Sequence, residues 1–268
     1  MGDRKRLTLH ALRDCHARGE KLAALTCYDA SFARLLDNEG VDILLVGDSL
    51  GMVVEGNATT LAVAMDTMVY HTAAVARGNS TAWIIADMPF GSYHESEAQA
   101  LHNAVRLMQA GAHMVKLEGG AWVAPTIRFL VERGIAVCGH VGFTPQAVHA
   151  LGGYRIQGRS ADAAAGLITD ATAVAHAGAQ MLVLELVPSS LTAELTAAIG
   201  IPVIGIGAGS ACSGQVLVLY DMLGMTHGTV PRFVRNFMVD TASIAEAVAR
   251  YVADVKAGRF PDDQVHGY

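Results

Sequence analysis

A (β/α)8 barrel of the α/β class, folded as one domain with extra helices at both termini, is the architecture this sequence predicts, and three observations predict it. Eight short apolar runs alternate with segments of helical character. Four of those runs finish at an acid: Ile43–Val46 opens into Gly47-Asp48-Ser49, residues 82–87 end on Asp87, Met114–Glu118 on Glu118 and Met181–Glu185 on Glu185. One strand unit also recurs. Gly111-Ala112-His113-Met114-Val115-Lys116-Leu117-Glu118 aligns with Gly178-Ala179-Gln180-Met181-Leu182-Val183-Leu184-Glu185. A doubly wound sheet would repeat in the same way, and the count of eight favours the barrel.

The elements follow in order. Residues 7–18 read as a basic helix ahead of the barrel, residues 21–26 as the first strand and residues 31–38 as a helix closed by Gly40. Ile43–Val46 is short, β-branched and wholly apolar, which suits a parallel strand covered on both faces. Residues 51–60 are polar and carry glycine, a loop, before a helix over residues 65–77. The strand at 82–87 stops at Met88-Pro89-Phe90-Gly91, a helix spans 95–110, and Gly111-Ala112 hands over to the strand of Lys116. Further strands fall at 135–139, 181–184, 203–206 and 216–219. The connection over 141–160, with Gly152-Gly153-Tyr154-Arg155-Ile156-Gln157-Gly158-Arg159, is long enough to be a lid. The barrel core thus covers about residues 21–225 of a domain spanning 1–268. A helical region at 231–260, with a helix over about 241–257, precedes a polar tail.

Composition sets bounds. The chain has 268 residues, 52% of them hydrophobic, yet its apolar stretches break well before the ~18 residues of a membrane span. The first 25 residues carry charges throughout and do not resemble a secretory signal, so a cytoplasmic protein is expected. A net charge of −6 argues against nucleic acid as partner. Cys15, Cys27, Cys138 and Cys212 show no metal or disulfide spacing.

If the strands share one barrel, Asp48, Asp87, Glu118 and Glu185 converge on its carboxyl-terminal mouth. Four like charges there require a cation, protons or basic neighbours, and oxygen-only ligands point to magnesium or a similar hard ion. Lys116 and Glu118, two residues apart on a strand, face the same side. Any one of these acids could instead cap a helix or pair at the rim, but four together do not fit that reading. His140 follows the strand at 135–139 and fits the same ring. Ser49 is either a helix N-cap or a ligand contact. Gly205-Ile206-Gly207-Ala208-Gly209 lacks the ribose-binding acid of a dinucleotide loop and reads as close backbone approach to a ligand. His71, His102, His113 and His149 read as solvated or core histidines.

Stretches at 25–29, 46–51, 70–74, 114–120, 138–146, 152–158, 203–209 and 231–237 together resemble the ketopantoate hydroxymethyltransferases, nearly end to end. The resemblance implies a barrel of the phosphoenolpyruvate/isocitrate lyase-like group. It implies transfer of a hydroxymethyl group from 5,10-methylenetetrahydrofolate to 3-methyl-2-oxobutanoate via a magnesium-stabilised enolate, giving 2-dehydropantoate and tetrahydrofolate in pantothenate synthesis. Matching positions make Asp48, Asp87 and Glu118 the acids around Mg2+, some through water, and Glu185 the general base. Asp48, Ser49, Asp87 and Lys116 become contacts of the keto acid, with His140 beside it. Tyr154, Arg155 and residues 205–209 are candidates for the folate pocket. A cytoplasmic homodecamer, a pentamer of dimers, is implied as well. Two other readings compete. One is a magnesium-dependent C–C lyase or mutase on the same barrel, because Cys138-Gly139-His140 matches the end of the lyases' Lys-Lys-Cys-Gly-His, although Ala136-Val137 replace the lysines. The other is an inactive metal-binding scaffold.

Overall fold

The structure, a computed structural model, describes residues 4–226 and 228–268. Eight parallel strands, β1 (Leu22–Thr26), β2 (Ile43–Val46), β3 (Trp83–Asp87), β4 (Met114–Glu118), β5 (Val137–Gly142), β6 (Met181–Glu185), β7 (Val203–Ile206) and β8 (Gly214–Leu217), pair in chain order into a closed barrel. The ring closes where Leu22 of β1 lies opposite Gly214 of β8 and Leu25 opposite Leu217.

Strand alternation divides the core in two. Ile43, Leu45, Ile85, Met114, Cys138, Met181, Val183, Ile204 and Val216 point inward and fill the barrel. Leu44, Val46, Ile84, Val115, Leu117, Val137, Leu182 and Leu184 point outward and pack under the helices. The inward parity decides what reaches the mouth. Two residues past Ile85 comes Asp87, past Met114 come Lys116 and Glu118, past Cys138 comes His140, and past Val183 comes Glu185.

The lower end is closed by the helix Leu9–Ala17, started by Thr8, whose hydroxyl accepts from the Ala11 amide. This helix seats Leu12, fully buried, among Leu22, Ile43 and Met114. The other end of the chain covers the closing seam. Helix Ile244–Lys256 places the buried Tyr251 hydroxyl 2.9 Å from the carbonyl oxygens of both Ala24 and Gln215.

Several boundaries differ from the sequence reading. β5 continues through His140 to Gly142, because Gly142 still pairs with Glu185 across the ladder. β8 begins two residues earlier than expected and Leu219 opens a short helix, Leu219–Met222. Residues 51–60 do not form a plain loop: Leu50–Val53 makes one helical turn directly after Ser49. Within 231–260 only Ile244–Lys256 is helical, and part of the expected polar tail folds into the short helix Asp263–His266. Among the described residues no helix is long and apolar enough to cross a membrane.

Candidate active site

A cavity of about 1210 Å³ opens above the carboxyl ends of the strands, and Asp48, Ser49, Asp87, Lys116, Glu118, His140 and Glu185 all line it. The structure therefore brings the acids, Ser49, Lys116 and His140 to one place. Tyr154 joins them from the long connection, its ring tilted 34° against that of Phe143 with ring centroids 4.7 Å apart. Arg155 is not among the lining residues. The glycines of 205–209 are a correction to the sequence reading. A side chain at Gly205 would meet Cys212, at Gly207 Phe233 and at Gly209 Ser189, so the close approach is to the protein's own side chains.

The buried Lys116 ammonium organises the floor of the cavity. Its Nζ lies 3.2 Å from Asp87 Oδ1, 3.4 Å from Glu118 Oε1 and 3.2 Å from His140 Nδ1. His140 spans two glutamates, with Nδ1 3.3 Å from Glu118 Oε1 and Nε2 3.3 Å from Glu185 Oε2. Nδ1 cannot accept from Lys116 and donate to Glu118 at once. With a carboxylate at each nitrogen, the imidazolium satisfies both, and Lys116 then serves Asp87. On the opposite side the Asp48 amide donates to Asp87 Oδ2 at 3.1 Å. Ser49 caps nothing: its hydroxyl sits 2.9 Å from the Tyr28 hydroxyl. Asp87 Oδ1 and His140 Nε2 are buried and have no aligned hydrogen bond among the described residues. Each instead meets a charged partner at ion-pair distance, Asp87 Oδ1 with Lys116 Nζ and His140 Nε2 with Glu185 Oε2.

Charge is distributed unevenly over this ring. Burial, then the neighbouring Asp87 and Glu118, pushes the Asp48 carboxyl well above the usual carboxylate range. Asp87 is also raised by burial, against the opposing pull of Lys116. Glu185 is raised by burial, although His140 resists it. Burial acts the same way on Glu118, but Lys116 and His140 outweigh it and hold this carboxyl at about 2. His140 moves up to about 9: burial and Lys116 oppose the change, and Glu118 and Glu185 win. Lys116 stays protonated despite burial because Asp87, Glu118 and Asp48 surround it. Four acids against two cations leave two negative charges uncompensated when all are ionised, the deficit that one divalent ion balances.

The donor set fits such an ion in one way. Among the described residues, no three His, Cys, Asp or Glu side chains form a cage by themselves. Asp48 and Asp87 offer hard oxygens, and magnesium is commonly held by one or two carboxylates while substrate and water complete its shell. Glu118 stands further out, since Oε1 faces Lys116 and His140 and Oε2 accepts from the Gln146 amide at 3.0 Å. Two residues given no role in the sequence reading support this arrangement. The Gln146 side chain donates to Asp48 Oδ2, and the Tyr93 hydroxyl meets both the Glu118 backbone and Gln146 Oε1. Neither carries a sequence signal beyond a polar or aromatic residue in a connection.

Comparison with known proteins bears on the chain as a whole. The family model of ketopantoate hydroxymethyltransferase matches residues 6–263, nearly the whole chain. The chain belongs to the ketopantoate hydroxymethyltransferase family. A relative from Methylibium petroleiphilum, 3-methyl-2-oxobutanoate hydroxymethyltransferase 2, is 60% identical over 266 residues, covering 99% of this chain and 95% of the relative. Membership makes the protein a transferase, as the sequence resemblance implied. The fold is shared more widely than the family. Solved 2,3-dimethylmalate lyase, a phosphoenolpyruvate mutase/isocitrate lyase superfamily member, superposes with a TM-score of 0.59 at 16% identity, over 81% of this chain and 82% of its own. Phosphonopyruvate hydrolase, solved in complex with oxalate and Mg++, superposes with a TM-score of 0.60 at 14% identity, over 92% and 95%. The barrel of this hydroxymethyltransferase family thus has the architecture of that superfamily, as expected.

Proposed function

We propose that this chain transfers a hydroxymethyl group from 5,10-methylenetetrahydrofolate to 3-methyl-2-oxobutanoate through the enolate of the keto acid, yielding 2-dehydropantoate and tetrahydrofolate for pantothenate synthesis. The observation that carries the reading is the meeting of Asp48, Asp87, Lys116, His140 and Glu185 on one cavity in a chain of this family. Magnesium held by Asp48 and Asp87 would supply a Lewis acid for the negative charge that develops on the keto oxygen.

The chain's own residues do the rest. Lys116 and the Ser49 hydroxyl bind and orient the keto acid, the lysine balancing its carboxylate. Glu185 takes the proton from C3, and its raised pKa brings it closer to neutral pH, where a general base works best. His140, 3.3 Å from Glu185, holds that carboxylate in place and steadies its charge before the proton moves. The C3 carbon then bonds to the methylene carbon as one folate nitrogen–carbon bond breaks. Water supplies the hydroxyl oxygen as the second nitrogen–carbon bond breaks, and the two folate nitrogens take up the proton held by Glu185 and one proton of that water. Tyr154, Met52, Val54 and Ile156 give the wall over this reaction an apolar face suited to the flat folate rings.

The lyase alternative needs a reactive cysteine. Cys138 fills the barrel interior, and burial pushes its thiol up to about 12, so the group is neither ionised nor exposed. Cys138→Ser is expected to keep activity, whereas its abolition would restore the lyase reading.

The test is proton NMR of 3-methyl-2-oxobutanoate in D2O, with and without magnesium, before any folate is added. Loss of the C3 proton signal only with enzyme and metal is expected. Glu185→Gln should bind the keto acid yet exchange at least a hundredfold more slowly; exchange at the wild-type rate would remove Glu185 from the role of base.

A further inference from the structure

Gln146 stands at the start of the long connection after β5, in the turn Pro145–Ala147, and is buried. It is hydrogen-bonded on every side. Its Nε2 donates to Asp48 Oδ2 at 2.8 Å and to the Met88 carbonyl at 2.9 Å. Its Oε1 accepts from the Tyr93 hydroxyl at 2.7 Å, and its backbone amide donates to Glu118 Oε2 at 3.0 Å. Both amide protons and the amide oxygen therefore have partners. A flipped amide would set Oε1 against two other oxygens, so only one orientation is tenable.

This arrangement has a consequence for the two acids. One oxygen of Asp48 and one of Glu118 are tied to the same residue, which comes from a third part of the chain. Asp48 Oδ1 is left without a hydrogen bond among the described residues, while Glu118 Oε1 faces Lys116 and His140. Because glutamine is neutral, it orients Asp48 without cancelling the charge a cation would need. A lysine here would compete with the cation instead.

We propose that Gln146 is a positioning residue for divalent-cation binding, holding Asp48 through Oδ2 so that the other oxygen is set for the ion. The inference rests on the reading of Asp48 and Asp87 as the cation's ligands. Partners of metal-binding carboxylates typically change metal affinity 10–100-fold when removed.

The test is titration of the full chain with Mn2+, followed by electron paramagnetic resonance, without keto acid or folate, alongside melting temperatures. Gln146→Met keeps the length and loses the donor, and Gln146→Asn keeps an amide too short to reach Asp48. Both are expected to weaken Mn2+ binding about 10–100-fold. Tyr251→Phe serves as the control, because it also removes buried hydrogen bonds but touches neither Gln146 nor the acids of the cavity. Its Mn2+ affinity should change less than about threefold even where its melting temperature falls as far. Wild-type affinity in either Gln146 variant that folds would overturn the proposal. So would an equal loss in Tyr251→Phe, since affinity would then merely follow stability. Failure of the wild-type chain to bind Mn2+ would instead remove the Asp48 and Asp87 reading itself, and this proposal with it.

Discussion

Lys116 is the residue on which the charge balance of the cavity turns, since it is buried and within 3.4 Å of both Asp87 and Glu118. Replacing it with Met leaves Asp87 buried and uncompensated and Glu118 with His140 alone. The expected cost is about 3–5 kcal/mol of stability, read from the urea midpoint, together with loss of turnover. His140 gives a pH signature. Its pKa is raised from 6.5 to about 9, so the folded chain keeps a proton that the unfolded chain has released across that interval. The stabilisation is complete below pH 6.5 and is lost as pH rises through 9. Asp48, Asp87 and Glu185, also raised, act in the same sense at lower pH. Without added cation, the melting temperature is expected to fall between pH 6.5 and 9 by the equivalent of at most about 3 kcal/mol, and His140→Gln should flatten the slope. The acids and Lys116 were legible in the sequence because each ends or interrupts an apolar run. Tyr93 and Gln146 were not, because what marks them is a partner far away in the chain: Gln146 meets Asp48 across 98 positions.

At the scale of the element, the barrel separates stability from chemistry by its two ends. Leu12→Ala empties a buried site at the lower end, where the helix Leu9–Ala17 meets the barrel interior. About 2–5 kcal/mol should be lost with kcat unchanged in the protein that stays folded. Gly142→Ala strikes the other end. Gly142 has φ +92° and lies against the Glu185 carbonyl oxygen with no room for a Cβ. Strain and crowding together should cost about 2–4 kcal/mol and displace Glu185. C3 proton exchange should therefore fall further than stability alone explains. Most strands were readable because parallel strands covered on both faces are continuous apolar runs. β8 was misplaced because it opens with Gly214-Gln215, and Gly214 has no side chain to show which face is buried. The glycines of 205–209 were misread for a related reason: sequence shows that a backbone must come close to something, and only the fold shows to what.

The whole molecule leaves large side chains uncovered, with Tyr70 68%, Trp122 56% and Phe90 48% exposed, and His94 bridging the last two by ring contact. The homodecamer implied by the resemblance is proposed to bury them. Light scattering should then give ten times the 28.1 kDa chain mass; a monomer at micromolar concentration would refute the assembly.

Tyr251 gives the fold an order in time. Its hydroxyl touches β1 and β8 at once, at the seam where the first and last strands meet. A ribosome releases the strands bearing Asp48, Asp87 and Glu118 long before it releases helix Ile244–Lys256. Until β8 follows, the ring stays open, its first strand waiting for a neighbour that has not been made. The seam is thus fastened by an element synthesised after all eight strands, and a chain stopped before residue 244 lacks the hydroxyl that ties β1 to β8.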